Sequence, residues 1–158
     1  MTAEEILHIL QQKFGDAIVG SKLDIMQPWI QVAPNATKDI CAFLCDDPSL
    51  NFDSLMCLSG VDCNNGTFGV VYHLASTVLK HKIVLKVIVP KENLHVQSVS
   101  AVWGTANWHE REAFDMFGII FDEHPDLRRI LLPDDWEGHP LRKDYKVQEF
   151  YHGIKVSS

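Results

Sequence analysis

The sequence predicts an α+β protein: a two-layer sandwich of a mixed, largely antiparallel sheet with helices on one face, continued by an extended C-terminal arm. Three observations carry this. Two segments with helical spacing of apolar residues precede three consecutive strand-like runs, the last of those runs alternates apolar and polar positions, and regular periodicity stops at Gly118.

The first helix follows from Thr2 and Glu5, which have capping-box spacing, and from Ala3, Ile6, Leu7, Leu10 and Phe14, which recur at helical intervals before Gly15. Two short β-like runs at 17–19 and 29–33, separated by polar residues and Pro28, read as a hairpin. Asn35 is placed to cap a second helix in which Ala36, Ile40, Phe43 and Leu44 share a face, and Asp46-Asp47-Pro48 ends it.

Three strands are expected at 54–61, 68–76 and 82–89, and Asn64-Asn65-Gly66 between the first two is a hairpin turn signal, because Asn and Gly tolerate positive φ. In the third run Ile83, Leu85, Val87 and Val89 fall on one side and Lys82 and Lys86 on the other, so one face is buried and one is wet. A third helix is expected over about 99–117, interrupted at Gly104. The division is therefore a body of residues 1–118 and an arm of residues 119–158. The arm contains Pro125, Pro133 and Pro140, lacks a period, and is rich in large apolar side chains, which is unlike a disordered tail.

A chain of 158 residues can withdraw roughly 70% of its unfolded surface from water, enough for a core. Its 46% apolar and 22% charged residues suit a soluble globular protein. A net charge of −7 disfavours a nucleic-acid partner. No uncharged apolar run reaches the roughly 18 residues of a membrane span, and the best one, 83–89, is cut by Lys86. Membrane association is therefore expected only through partner subunits. The N-terminal residues lack the basic start and apolar stretch of an export signal, so a cytoplasmic location is expected and Cys41, Cys45, Cys57 and Cys63 read as reduced core thiols.

The sequence has no Cys-x-x-Cys, His-x-x-x-His or His-Glu-x-x-His spacing and no phosphate-cradling glycine loop, so neither metal nor nucleotide is expected in this chain. Ser59 lacks the nucleophile elbow of hydrolases and reads as an inward-facing strand serine. Arg111 and Asp115 are spaced i,i+4, as in a helix-stabilising ion pair.

All four arginines, Arg111, Arg128, Arg129 and Arg142, lie within one 32-residue window, with Trp136 inside it and Tyr145, Phe150 and Tyr151 among the charges that follow. Arginine and aromatic side chains are enriched at interface hot spots, and the planar guanidinium suits carboxylate pairing. The arm therefore reads as an adhesive surface, poorly ordered until a partner covers it.

The runs Glu110-Arg111-Glu112-Ala113-Phe114-Asp115-Met116-Phe117-Gly118-Ile119, His124-Pro125-Asp126-Leu127-Arg128-Arg129-Ile130-Leu131 and Pro133-Asp134-Asp135-Trp136-Glu137-Gly138-His139-Pro140-Leu141-Arg142-Lys143-Asp144-Tyr145 resemble the signature of the C subunit family of respiratory complex I. Glu123 departs from it, because the family commonly has glycine before this His-Pro. The resemblance implies a non-catalytic interaction subunit of the hydrophilic arm of a proton-translocating NADH-quinone oxidoreductase, peripheral on the cytoplasmic side of the inner (plasma) membrane. The partners it implies are the quinone-site D subunit and neighbouring iron-sulfur subunits, with FMN and iron-sulfur clusters held by those partners and none by this chain. The residues expected to meet partners are Glu110, Arg111, Glu112, Asp115, His124, Asp126, Arg128, Arg129, Trp136, His139, Arg142, Lys143, Asp144 and Tyr145. Two alternatives stand beside this reading: the equivalent subunit of a ferredoxin- or hydrogenase-linked membrane complex, and a soluble acid-base enzyme using Glu112, Asp115 and His124.

Overall fold

A computed structural model describes residues 1–156, so the expected arm lies within the described residues except for its last two positions. The first helix, α1 (Ala3–Phe14), begins with the expected capping box, in which Thr2 and Glu5 each bond the other's backbone N–H. Strands β1 (Ile18–Lys22) and β2 (Trp29–Val32) form the antiparallel hairpin. Helix α2 spans Thr37–Asp46. Asn35 does not cap it. Pro34–Ala36 instead makes a single 3-10 turn, with proline at its first position, and Asn35 lies inside that turn.

Strands β3 (Ser54–Asp62), β4 (Thr67–Ala75) and β5 (Lys82–Pro90) form an antiparallel meander, and β2 adds in parallel to β5, giving the order β1-β2-β5-β4-β3. Register explains the layering. Ile83, Leu85, Val87 and Val89 lie opposite Leu74, Tyr72, Val70 and Phe68, and all eight are buried. They share one core with Ile6 and Leu10 of α1 and Ile40, Cys41 and Leu44 of α2, so the helices cover that face.

Ser59 corrects the expectation of an inward serine. A bulge between Leu55 and Cys57 shifts the alternation, so that Leu55 and Leu58 both enter the core and Ser59 is exposed. The cysteines are all free thiols, but only Cys41 is buried; Cys45, Cys57 and Cys63 are half-exposed.

The chain then makes two three-residue strands, β6 (His95–Gln97) and β7 (Ile120–Asp122), paired in parallel on either side of helix α3 (Ala106–Phe117). The helix starts later than the sequence suggests. Residues 99–103 form tight turns, with Val102 and Trp103 N–H groups reaching the Val99 carbonyl, and the Trp103 indole is tied to the Phe52 carbonyl. Strand β7 carries the paired structure past the expected boundary at Gly118. A last short hairpin, β8 (Phe150–Tyr151) and β9 (Ile154–Lys155), ends the described chain.

Helix α3 sits over β3 at Gly60. A Cβ there would lie 2.6 Å from the Phe117 ring and 3.4 Å from Ala113 Cβ, so the close approach requires glycine. This places the C-terminal end of α3 beside the sheet and aims its surface at the arm.

Candidate functional site

The residues singled out in the sequence converge on the junction between α3 and the arm. Arg111 and Asp115, one helical turn apart, do not pair with each other as their spacing suggests. They grip the backbone of one passing segment. Arg111 donates to the carbonyls of Arg128 (3.2 Å) and Arg129 (3.1 Å), and Asp115 accepts from the N–H groups of Ile130 (3.1 Å), Leu131 (2.8 Å) and Leu132 (2.9 Å). A cation takes the carbonyls and an anion takes the amides of the same stretch.

Arg129 closes the clamp. One terminal nitrogen donates to the Asp115 carboxylate at 2.8 Å, and the other donates to the carbonyls of Trp136 (2.9 Å) and Gly138 (3.0 Å), so the arm folds around its guanidinium. The Asp115 side chain is fully buried. Desolvation pushes its acidity toward neutral, yet the Leu132 amide, Arg129 and the Leu131 and Ile130 amides together hold it below the usual carboxylate range.

The arm then satisfies the open end of α3, whose last carbonyls have no partner within the helix. Gly118 N–H donates to the Phe114 carbonyl, His139 Nδ1–H to that of Asp115 (2.9 Å), Leu141 N–H to that of Met116 (3.1 Å) and Arg142 Nε–H to that of Phe117 (2.6 Å). Two of these donors come from side chains that favour the negative end of a helix dipole. Gly118 has φ +74, and a Cβ on it would meet Arg142 at 2.5 Å and His139 at 2.7 Å. Burial lowers the His139 pKa, against the Asp115 carbonyl that raises it.

Farther out the contacts are lighter. Lys143 N–H donates to Asp62 (2.9 Å), Lys91 pairs with Asp144 (2.5 Å), and the Trp136 indole donates to the Tyr145 hydroxyl (3.1 Å) while its ring packs on Tyr151. Asp126 holds Arg128 at 2.9 Å in solvent.

On the other side of α3, Glu110 is fully buried and accepts from Ser98 Oγ (2.6 Å) and Val99 N–H (2.7 Å). His124 Nε2 lies 3.7 Å from that carboxylate and donates to the Asn107 carbonyl, while its Nδ1 accepts the Asp126 N–H, which assigns the tautomer.

Of the residues expected to meet partners, Glu110, Arg111, Asp115, His124, Arg129, His139 and Arg142 are thus engaged inside the chain. Glu110 and Asp115 are enclosed outright, because a buried carboxylate needs donors close at hand and the chain supplies them itself. Glu112, Asp126, Arg128, Lys143 and Asp144 remain exposed, and Trp136 and Tyr145 are half-exposed. Glu112, Asp115 and His124 belong to three separate environments: an exposed helix face, the arm clamp and the Glu110 pocket. The sequence carried no signal for the backbone grip of Arg111 and Asp115, since helical spacing does not tell a mutual pair from two residues facing a third segment. Gly118, placed at the end of the helical pattern, was the visible half of the junction.

Fold and junction together define a small α+β protein whose proline-stiffened arm is fastened to its last helix. Residues 30–151 match the family described as "Respiratory-chain NADH dehydrogenase, 30 Kd subunit", and the chain belongs to that family. It is 50% identical over 155 residues to the C subunit of the NADH-quinone oxidoreductase of Chloroherpeton thalassium, covering 97% of this chain and 65% of that longer protein. It is also 50% identical over 151 residues to the corresponding C subunit of Chlorobium phaeobacteroides, covering 94% and 91%. A solved trypsin-resistant fragment (1–134) of Nqo5 superposes with a TM-score of 0.65 at 28% identity, covering 80% of this chain and all of the fragment. The fold also recurs, at 23% identity and a TM-score of 0.74, in a chain of the membrane-bound sulfane sulfur reductase, an archaeal respiratory membrane complex, with 90% and 85% covered.

Proposed function

We propose that this chain is the C subunit of a proton-translocating NADH-quinone oxidoreductase, an interaction subunit of its hydrophilic arm that supports electron transfer without performing it. Family membership supports the assignment to that complex. The observation that carries the interaction role is the clamp, because it fixes the arm's backbone while leaving its outward side chains free. Leu131 is 63% exposed, Leu141 54%, and Arg128 67% along its side chain. A surface fixed before binding loses less entropy when a partner covers it.

The proposed partners are the quinone-site D subunit and neighbouring iron-sulfur subunits, on the cytoplasmic side of the membrane. FMN and the iron-sulfur clusters are assigned to those partners; among the described residues no group of three or more His, Cys, Asp or Glu side chains is gathered as a metal site would need. No helix of the described residues is long and apolar enough to cross a membrane.

The test separates two adjacent arginines. Arg128→Ala should leave the isolated chain folded with its arm docked and reduce its incorporation into the complex, whereas Arg129→Ala should release the arm in the isolated chain. Native gels and quinone reductase activity of membranes, beside amide exchange of the free protein, read the two effects. Full incorporation of the Arg128 variant with lost activity would instead favour a chemical role.

A further inference from the structure

The helix-free face of the sheet is chemically unlike the rest of the molecule. Register puts Lys22, Trp29, Gln31, Lys82, Val84, Lys86, Ile88, Val71, His73 and Ser59 on that face, together with small residues. None of these outward strand positions is Asp or Glu, although the chain has 21 acidic residues against 14 basic ones. Lys86 lies over the Trp29 ring at 4.3 Å, so a cation and an aromatic plane are displayed together at its centre. Asp24 lies in the exposed turn that joins β1 to β2, and Asp53 precedes the first residue of β3.

At one end of this face a groove of about 190 Å³ is bounded by Met26, Pro28, Met56, His73, Lys82 and Val84. Met26 is 98% exposed and Met56 46%. Flexible, polarisable methionines are common where a surface must adapt to an incoming side chain. His73 Nδ1 is shielded from solvent and, among the described residues, has no hydrogen-bond partner.

We propose that this face is a second docking surface, for an acidic segment of another protein chain that seats an apolar side chain in the groove and sets carboxylates against Lys82 and Lys86. It rests on the assignment to the oxidoreductase complex but uses none of the residues of the arm. The arm bonds Asp62 and Lys91, at the end of the sheet away from the groove. Charge complementarity is what selects the occupant: an anionic segment meets only cations across this face. An anionic membrane fits less well, because it spreads far beyond a Debye length of roughly 8 Å and would also meet the remainder of a chain whose net charge is −7.

The test uses the full chain in its native membrane complex. Met26→Cys is alkylated with a maleimide, with labelling read by peptide mass so that Cys57 and Cys63 are counted separately, and a photo-crosslinking side chain is placed at Met56. We expect labelling at position 26 to fall at least tenfold between the isolated chain and the complex. Crosslinks should reach a carboxylate-rich stretch of a stoichiometric, co-purified protein. Lys82→Glu with Lys86→Glu should cut incorporation about tenfold while circular dichroism of the isolated chain stays unchanged, and the labelling result stands if that variant misfolds. Equal labelling in both states, crosslinks to lipid, or crosslinks to a protein stretch without carboxylates would each overturn the proposal. Absence of the wild-type chain from the complex would instead overturn the assignment to that complex, so the two failures are distinct.

Discussion

Glu123 holds φ +65, a left-handed conformation that costs a residue with a Cβ about 1 kcal/mol or more. This is the position at which the sequence departs from the glycine usual before this His-Pro, and the structure keeps the turn that glycine would suit. Compensation comes from Lys38, which pairs with the Glu123 carboxylate at 2.5 Å, with the Glu123 side chain largely in solvent and that of Lys38 partly so. Such a pair contributes at most about 1 kcal/mol. Two substitutions separate the terms. Glu123→Gly should leave stability unchanged or raise it by about 0.5 kcal/mol, since relief of backbone strain outweighs loss of the pair, whereas Glu123→Ala loses the pair and keeps the strain, and should cost about 0.5–1 kcal/mol. Urea melts of the three proteins decide it, and equal destabilisation by both substitutions would show that the ion pair dominates.

Helix α3 is the element on which the body and the arm meet, and Asp115 is its central contact. Asp115→Asn keeps the shape but replaces one acceptor oxygen with a donor and leaves Arg129 without its counter-charge. A hydrogen bond to a charged group contributes about 1.5–3 kcal/mol, so release of the arm should become easier by about 2–4 kcal/mol. Amide exchange should accelerate at 130–142 while β4 and β5 keep their protection. Equal acceleration in those central strands would mean that the arm and the body unfold as one. The same element shows what the sequence could tell. Strands β3 to β5 were legible because alternation and Asn-Gly turns are local signals. Strands β6 and β7 were not, because three residues are too short for a period and their pairing spans the whole of α3. The arginine window stands out in the sequence, but the partners of Arg111 and Arg142 are main-chain carbonyls of the same chain, and main chain leaves no trace in residue identity.

Across the whole molecule, Glu110 ties global stability to pH. Desolvation raises its pKa to about 7 from an ordinary 4.5, against the Ser98 and Val99 hydrogen bonds, which lower it. The folded state therefore binds this proton more tightly than the unfolded state does. Its contribution is fully present below about pH 4.5, declines as pH rises toward 7, and is gone above that. A difference of this size corresponds to roughly 3 kcal/mol. Glu110→Gln removes the titration, so the stability difference between wild type and variant should change across pH 4.5–7 and be constant from 7.5 to 9. Denaturant melts across that range test it, and parallel curves would show that folding leaves the Glu110 pKa unshifted.

The four carbonyls at the end of α3 have a further consequence for how the protein is made. Three of their four donors, at positions 139, 141 and 142, leave the ribosome after the helix itself. A nascent or clipped chain that stops short of them presents a helix with bare acceptors, and one that stops before residue 130 also leaves a buried acid without its amides. The end of the helix on which the arm docks is therefore completed only once residues 139–142 have been made.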